Sequence, residues 1–143
     1  MKTMKSAIWI SACLLLLACS RPAPEQPLSF EEAWVRAMPP GSMMTAGFGR
    51  LVNNGNKELE IIAYTSPQFN DVSLHQTIVV DGLSRMKAVP VLKSPAGSDF
   101  ELAPGSFHLM FMSPARELED VLSIRIESAD GGQFSFELPV ERR

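Results

Sequence analysis

Short runs of apolar or alternating residues, split by turn residues, recur through most of the chain. The runs fall at Ala33–Ala37, Thr45–Val52, Leu59–Thr65, Val72–Val80, Ser84–Val89, Phe100–Leu102, Phe107–Met112, Val121–Glu127 and Phe134–Pro139. Between them lie Pro-Pro-Gly at 39–41, Asn-Asn-Gly at 53–55, Asp-Gly at 81–82, Pro-Ala-Gly at 95–97, Pro-Gly at 104–105 and Asp-Gly-Gly at 130–132. Runs of this length bounded by such breaks predict β-strands. No segment sustains a 3.6-residue period for more than two turns, and only Ser113–Asp120 leaves room for a brief helix. Many short strands at this spacing predict an all-β fold, an antiparallel sandwich or small barrel. There is no internal repeat, and nothing marks a second domain.

The first residues break this pattern. Lys2 and Lys5 precede the apolar run Ala7–Leu17, and Leu16-Leu17-Ala18-Cys19 follows. A basic head, a short apolar stretch and a small residue before the cut describe an export signal over residues 1–18. The run of about 11 residues is too short for a bilayer core, which needs roughly 20. Leu-Leu-Ala-Cys resembles the bacterial lipobox, which implies that Cys19 is acylated and becomes the first mature residue. Ser20 after it, by resemblance to enterobacterial lipoproteins, favours the outer membrane. Residues 19–29, with Pro22, Pro24 and Pro27, read as a lipidated tether, and residues 30–143 as the folded domain.

Composition narrows the chemistry. Without Lys2 and Lys5, eleven of the thirteen basic residues face sixteen acidic ones, a formal charge of −5. That balance excludes nucleic acid as a natural partner. The two cysteines are Cys13, in the signal, and Cys19, so the folded part has no thiol. Disulfides, thiolate ligands and cysteine nucleophiles are excluded, and soft-metal chemistry falls to methionine and histidine.

Two segments place those residues together. In Phe107–Met112, alternation sends Phe107, Leu109 and Phe111 to one face and His108, Met110 and Met112 to the other. In Val72–Val80, the following Asp81-Gly82 favours a two-residue type I′ hairpin. Val80 then faces Leu83 and Thr77 faces Met86, which sets His75 diagonally across from Met86 on one surface. Each His/Met pair is locally arranged, and the sequence does not show that the two pairs meet. Two imidazoles and two thioethers, with no carboxylate or thiolate, form a neutral, soft donor set that selects copper(I) over harder divalent ions.

The spacing of His75, Met86, His108 and Met110 resembles the H-x10-M-x21-H-x-M motif of the periplasmic PCu(A)C copper chaperones at all four positions. Ala33-Trp34-Val35-Arg36-Ala37, Asn53-Asn54-Gly55 and Leu102-Ala103-Pro104-Gly105-Ser106-Phe107 are also similar, and the similarity runs from Phe30 to Val140. The resemblance implies a cupredoxin-like antiparallel β-sandwich holding one Cu(I) per domain. It further implies a copper-accepting partner, a cytochrome c oxidase subunit or another copper chaperone. The expectation is therefore a monomeric, non-enzymatic metallochaperone in the periplasm, tethered by lipid at Cys19. No general base, activated nucleophile or open redox position is visible. Copper scavenging, and a metal-independent lipoprotein interaction module, are the alternatives.

Met112 shares the face of His108 but lies two steps along the strand, so Met110 is kept as the ligand. Met38, Met43 and Met44 flank the Pro-Pro-Gly turn. They read as a loop packed on the sandwich, with a second soft patch as the other reading. Trp34 reads as core and Tyr64 as rim. Glu117, Glu119 and Asp120 read as a solvated acidic loop.

Overall fold

The computed structural model describes residues 26–143. The export signal, Cys19 and the first part of the tether lie outside the described residues. Among the described residues there are ten strands: β1 Leu28–Arg36, β2 Met44–Asn53, β3 Leu59–Thr65, β4 Phe69–Val80, β5 Leu83–Ala88, β6 Leu92–Ser94, β7 Asp99–Leu102, β8 Phe107–Pro114, β9 Val121–Ser128 and β10 Gln133–Glu141. They follow one hydrogen-bonded path, β5-β4-β8-β2-β1-β10-β9-β3-β6, with β7 on a separate stretch of β2. Every pairing is antiparallel except β1 with β10, where Val35 faces Val140 and Arg36 faces Glu141. That parallel seam joins the β5-β4-β8-β2-β1 layer to the β10-β9-β3-β6 layer. Between the layers lie fully buried side chains from both, among them Val35, Leu51, Leu74, Leu109 and Phe111 against Ile61, Leu122, Ile126 and Leu138.

The strand boundaries differ from the expected ones at two places, and one strand is added. Leu28, in the segment read as tether, begins β1 and is 1% exposed. A short strand, Leu92–Ser94, pairs with Leu59–Ile61 at the far edge. Three residues after Pro90 are too few to show alternation. The segment after Pro114 forms no helix. Its six residues Ala115–Asp120 are too few to offset helix nucleation, and Ala115 N–H instead donates to the Gln68 carbonyl at 2.9 Å.

Two β-bulges decide which residues face outward. In β1 the register against β2 shifts between Glu31 and Trp34, with Glu32 at φ 49°. The extra residue moves Val35 to the core face and turns Trp34 outward, opposite Phe48. Gly49 sits beside this bulge at φ 139°, and an added Cβ would lie 2.7 Å from Ala33 Cα. A shift between Ile61 and Ala63 in β3 does the converse and turns Tyr64 inward. Trp34 is thus half-buried on the outer face and Tyr64 is core, the reverse of the sequence reading. The Tyr64 hydroxyl has no hydrogen-bond partner among the described residues, and burial pushes its ionisation well above the usual tyrosine range.

Candidate metal centre

The hairpin forms as the Asp-Gly signal predicts. Asp81 and Gly82 both take positive φ, 51° and 75°, as a type I′ turn requires. Val80 faces Leu83 and Thr77 faces Met86. Strand β8 then pairs along the other side of β4, so that His75 stands directly opposite His108 and Ser73 opposite Met110. The question left open by the sequence is thereby answered: β4 lies between β5 and β8, and both His/Met pairs share the outer face of one sheet. The two imidazole centroids are 6.1 Å apart with planes at 83°.

Burial grades across this face. His108 is 4% exposed and Met110 8%, His75 is half-buried, and Met86 on the edge strand is 60% exposed. The His108 ring lies 6.4 Å from Phe48, which stacks 4.8 Å from Trp34. Arg36 lies over Phe48 at 5.4 Å and Arg143 over Trp34 at 4.6 Å. The aromatic pair therefore backs His108 with apolar surface, while the guanidiniums cap its outer side. Neither this wall nor its position was legible in the sequence, since only the β1 bulge brings Trp34 to the outer face.

Hydrogen bonding orients the rings. His108 Nδ1 lies 3.2 Å from the Ser106 carbonyl, an acceptor only, so that nitrogen is the N–H donor. The lone pair is then on Nε2, which is buried and has no partner among the described residues. His75 Nε2 makes one long contact, 3.5 Å to Ser73 Oγ, and its buried Nδ1 likewise has no partner among the described residues. Orphaned buried ring nitrogens are rare enough to demand a reason, and a pair on facing histidines matches what a metal ion would satisfy. Burial lowers the pKa of His75, the nearby His108 lowers it further, and Asp71 opposes both. The neutral, donor form of His75 is favoured at neutral pH. Among the described residues no three His, Cys, Asp or Glu side chains cluster as a metal site; the thioethers of Met86 and Met110 share the face of the two histidines.

Met112 lies on the same face but opposite Asp71, two rungs from the histidines. Met38 is half-buried against the core, whereas Met43 and Met44 are 60% and 50% exposed. The packed-loop reading therefore holds for Met38 and not for the other two. Glu117, Glu119 and Asp120 are solvent-exposed, as expected.

Residues 28–140 match the family described as "Putative lipoprotein LpqE-like". The chain belongs to this family. This LpqE-like chain is 31% identical, over 138 residues, to "Putative lipoprotein Lxx21020" of Leifsonia xyli subsp. xyli (strain CTCB07), covering 92% of this chain and 82% of that protein. Among solved structures, the copper-bound PCuAC domain from PmoF2 superposes with a TM-score of 0.67 at 18% identity, covering 82% of this chain and 95% of that one. The copper(I) form of DR1885 from Deinococcus radiodurans gives 0.63 at 25% identity, covering 88% and 84%. The cupredoxin-like sandwich expected from the motif is the fold observed.

Proposed function

We propose that His75, Met86, His108 and Met110 hold one copper(I) ion, and that the protein passes this ion to a copper-accepting partner. The observation that supports it most is the facing His75–His108 rung, with an unpartnered buried nitrogen on each ring and a thioether on either side. Copper-loaded forms of PmoF2 and DR1885 in the same fold support the choice of metal. Four neutral ligands leave the site with only the charge of the ion, which suits a shallow position better than zinc's two charges.

The burial gradient suggests how transfer proceeds. His108 and Met110 are buried and pre-oriented, so they form the fixed half of the site. Met86 sits on an edge strand whose six residues are all exposed, so its thioether is the first to yield to an incoming ligand. Copper stays in the +1 state throughout, one donor replacing another. Lipid at Cys19 would hold the domain at an envelope membrane on the periplasmic side, with a cytochrome c oxidase subunit or another copper chaperone as acceptor. The lipoprotein names of the family and of the Leifsonia relative support the anchor.

Titration with copper(I) against a chromophoric chelator tests this reading. One tight equivalent is expected in the wild type. Losing an outer-shell partner commonly costs 10–100-fold in metal affinity, so His108→Ala should cost more than about 100-fold. Met86→Leu should weaken binding less. Unchanged affinity in His108→Ala would overturn the ligand set. Tight binding without transfer to an apo-acceptor would favour scavenging over delivery.

A further inference from the structure

The face that bears the histidines continues past them. Its rungs run His75–His108, then Ser73–Met110–Ala46, then Asp71–Met112–Met44 across β4, β8 and β2. The last rung sets two thioethers side by side beside a carboxylate. Ser113 N–H donates to the Met43 carbonyl at 2.9 Å, making that neighbouring pair the hydrogen-bonded one. Met44 and Met112 are then the closer, non-hydrogen-bonded type, with Cα atoms about 4.5 Å apart and side chains in contact range. Met44 is 50% exposed, a position where packing gives no reason for a large apolar side chain. Nothing in the histidine site requires it.

We infer that the Met44–Met112 rung is a second, weaker site for a soft monovalent cation of the copper(I) type. Thioethers select such ions, and the exposed Asp71 carboxylate across the rung supplies one compensating negative charge. Met110 stands one rung away, about 7 Å by strand rise, between this pair and His108. Copper taken up at the exposed rung has a thioether step towards the histidines, with donors exchanged one at a time and no change of oxidation state. The inference rests on the copper reading of this face, but it does not use His75, Met86 or His108 as ligands.

The test is a methyl NMR titration of the full-length protein in detergent, with its methionine methyl groups carbon-13 labelled and copper(I) added anaerobically. The first equivalent should shift the methyls of Met86 and Met110, and the second those of Met44 and Met112. Leucine replaces methionine with little change in packing, so the double variant Met44→Leu/Met112→Leu should fold, keep the first equivalent and lose the second. The inference is overturned if Met44 and Met112 do not move through two equivalents, or if the double variant binds the second equivalent undiminished. Movement of Met44 and Met112 without Met86 and Met110 would support this rung while removing the four-ligand site proposed above.

Discussion

Burial disfavours the charged form of His75, and the facing His108 adds to that effect more than Asp71 subtracts. A ligating imidazole has to be neutral, so the fold holds this ring in its donor form further into acid than a free histidine with a pKa of about 6.5. The sign follows for stability too. The native pKa of His75 lies below the unfolded value, so the unfolded chain binds more protons in that window. Stability of the copper-free protein is therefore full above about pH 6.5 and declines as pH falls below it. Copper(I) affinity should be flat from pH 8 to 7 and then weaken, by up to about tenfold per pH unit for each imidazole that protonates. Competition titrations at stepped pH read this directly, and an affinity unchanged down to pH 5 would exclude histidine ligation.

At the level of elements, the bulge in β1 is what builds the wall behind His108. Gly49 permits it: an alanine there would meet Ala33 Cα at 2.7 Å and the Glu31 carbonyl at 2.9 Å, at a φ of 139°. Gly82 also has positive φ, but a Cβ there meets nothing within 4 Å. Gly82→Ala should cost about 1–2 kcal/mol, the penalty of the left-handed region alone. Gly49→Ala should cost more than that, by urea denaturation, and should also weaken copper(I) binding, because displacing β1 moves Trp34 off Phe48. Equal costs at the two positions would mean that the bulge is not the constraint. The same bulges mark where the sequence could not be read. Strict alternation gave the β4–β5 register and the split of β8 into two faces, since Asp81-Gly82 anchors the first and no bulge interrupts the pairing around His108. Alternation carried through Glu31–Trp34 or Ile61–Ala63 inverts Trp34 and Tyr64, because one extra residue exchanges the faces. The meeting of the two His/Met pairs depends on β8 pairing with β4 across an intervening stretch of chain. That choice is made by the shared core of Leu74, Leu109 and Phe111, not by any local signal.

Over the whole molecule, the hydrogen-bonded path ends in two open edges, β5 and β6, and the candidate centre reaches only one of them. The β5 edge has every residue exposed, and with Val79 and Leu83 the hairpin tip presents apolar side chains to solvent at 70% and 61% exposure. Its attachment to the sheet is the β4 ladder alone, so it belongs to the part of the fold that opens at low free-energy cost. The β6 edge has only three residues, but two of them, Leu92 and Ser94, are buried. A copper ion bound through Met86 on β5 and His108 and Met110 on β8 would tie the loose edge across β4 to the interior of the sheet. Binding that favours a closed form over an open one stabilises it by the ligand's occupancy term, about 2.7 kcal/mol at one hundred times the dissociation constant. Amide hydrogen exchange should therefore slow about 100-fold in β5 and the outer half of β4 on copper(I) loading, while β6 stays as it was. In Met86→Leu the ion loses its grip on the edge strand, so β5 should exchange at the copper-free rate even where His108 and Met110 remain saturated. Equal protection of β5 in the wild type and in this variant would show that Met86 is a bystander and that the copper centre closes without the hairpin.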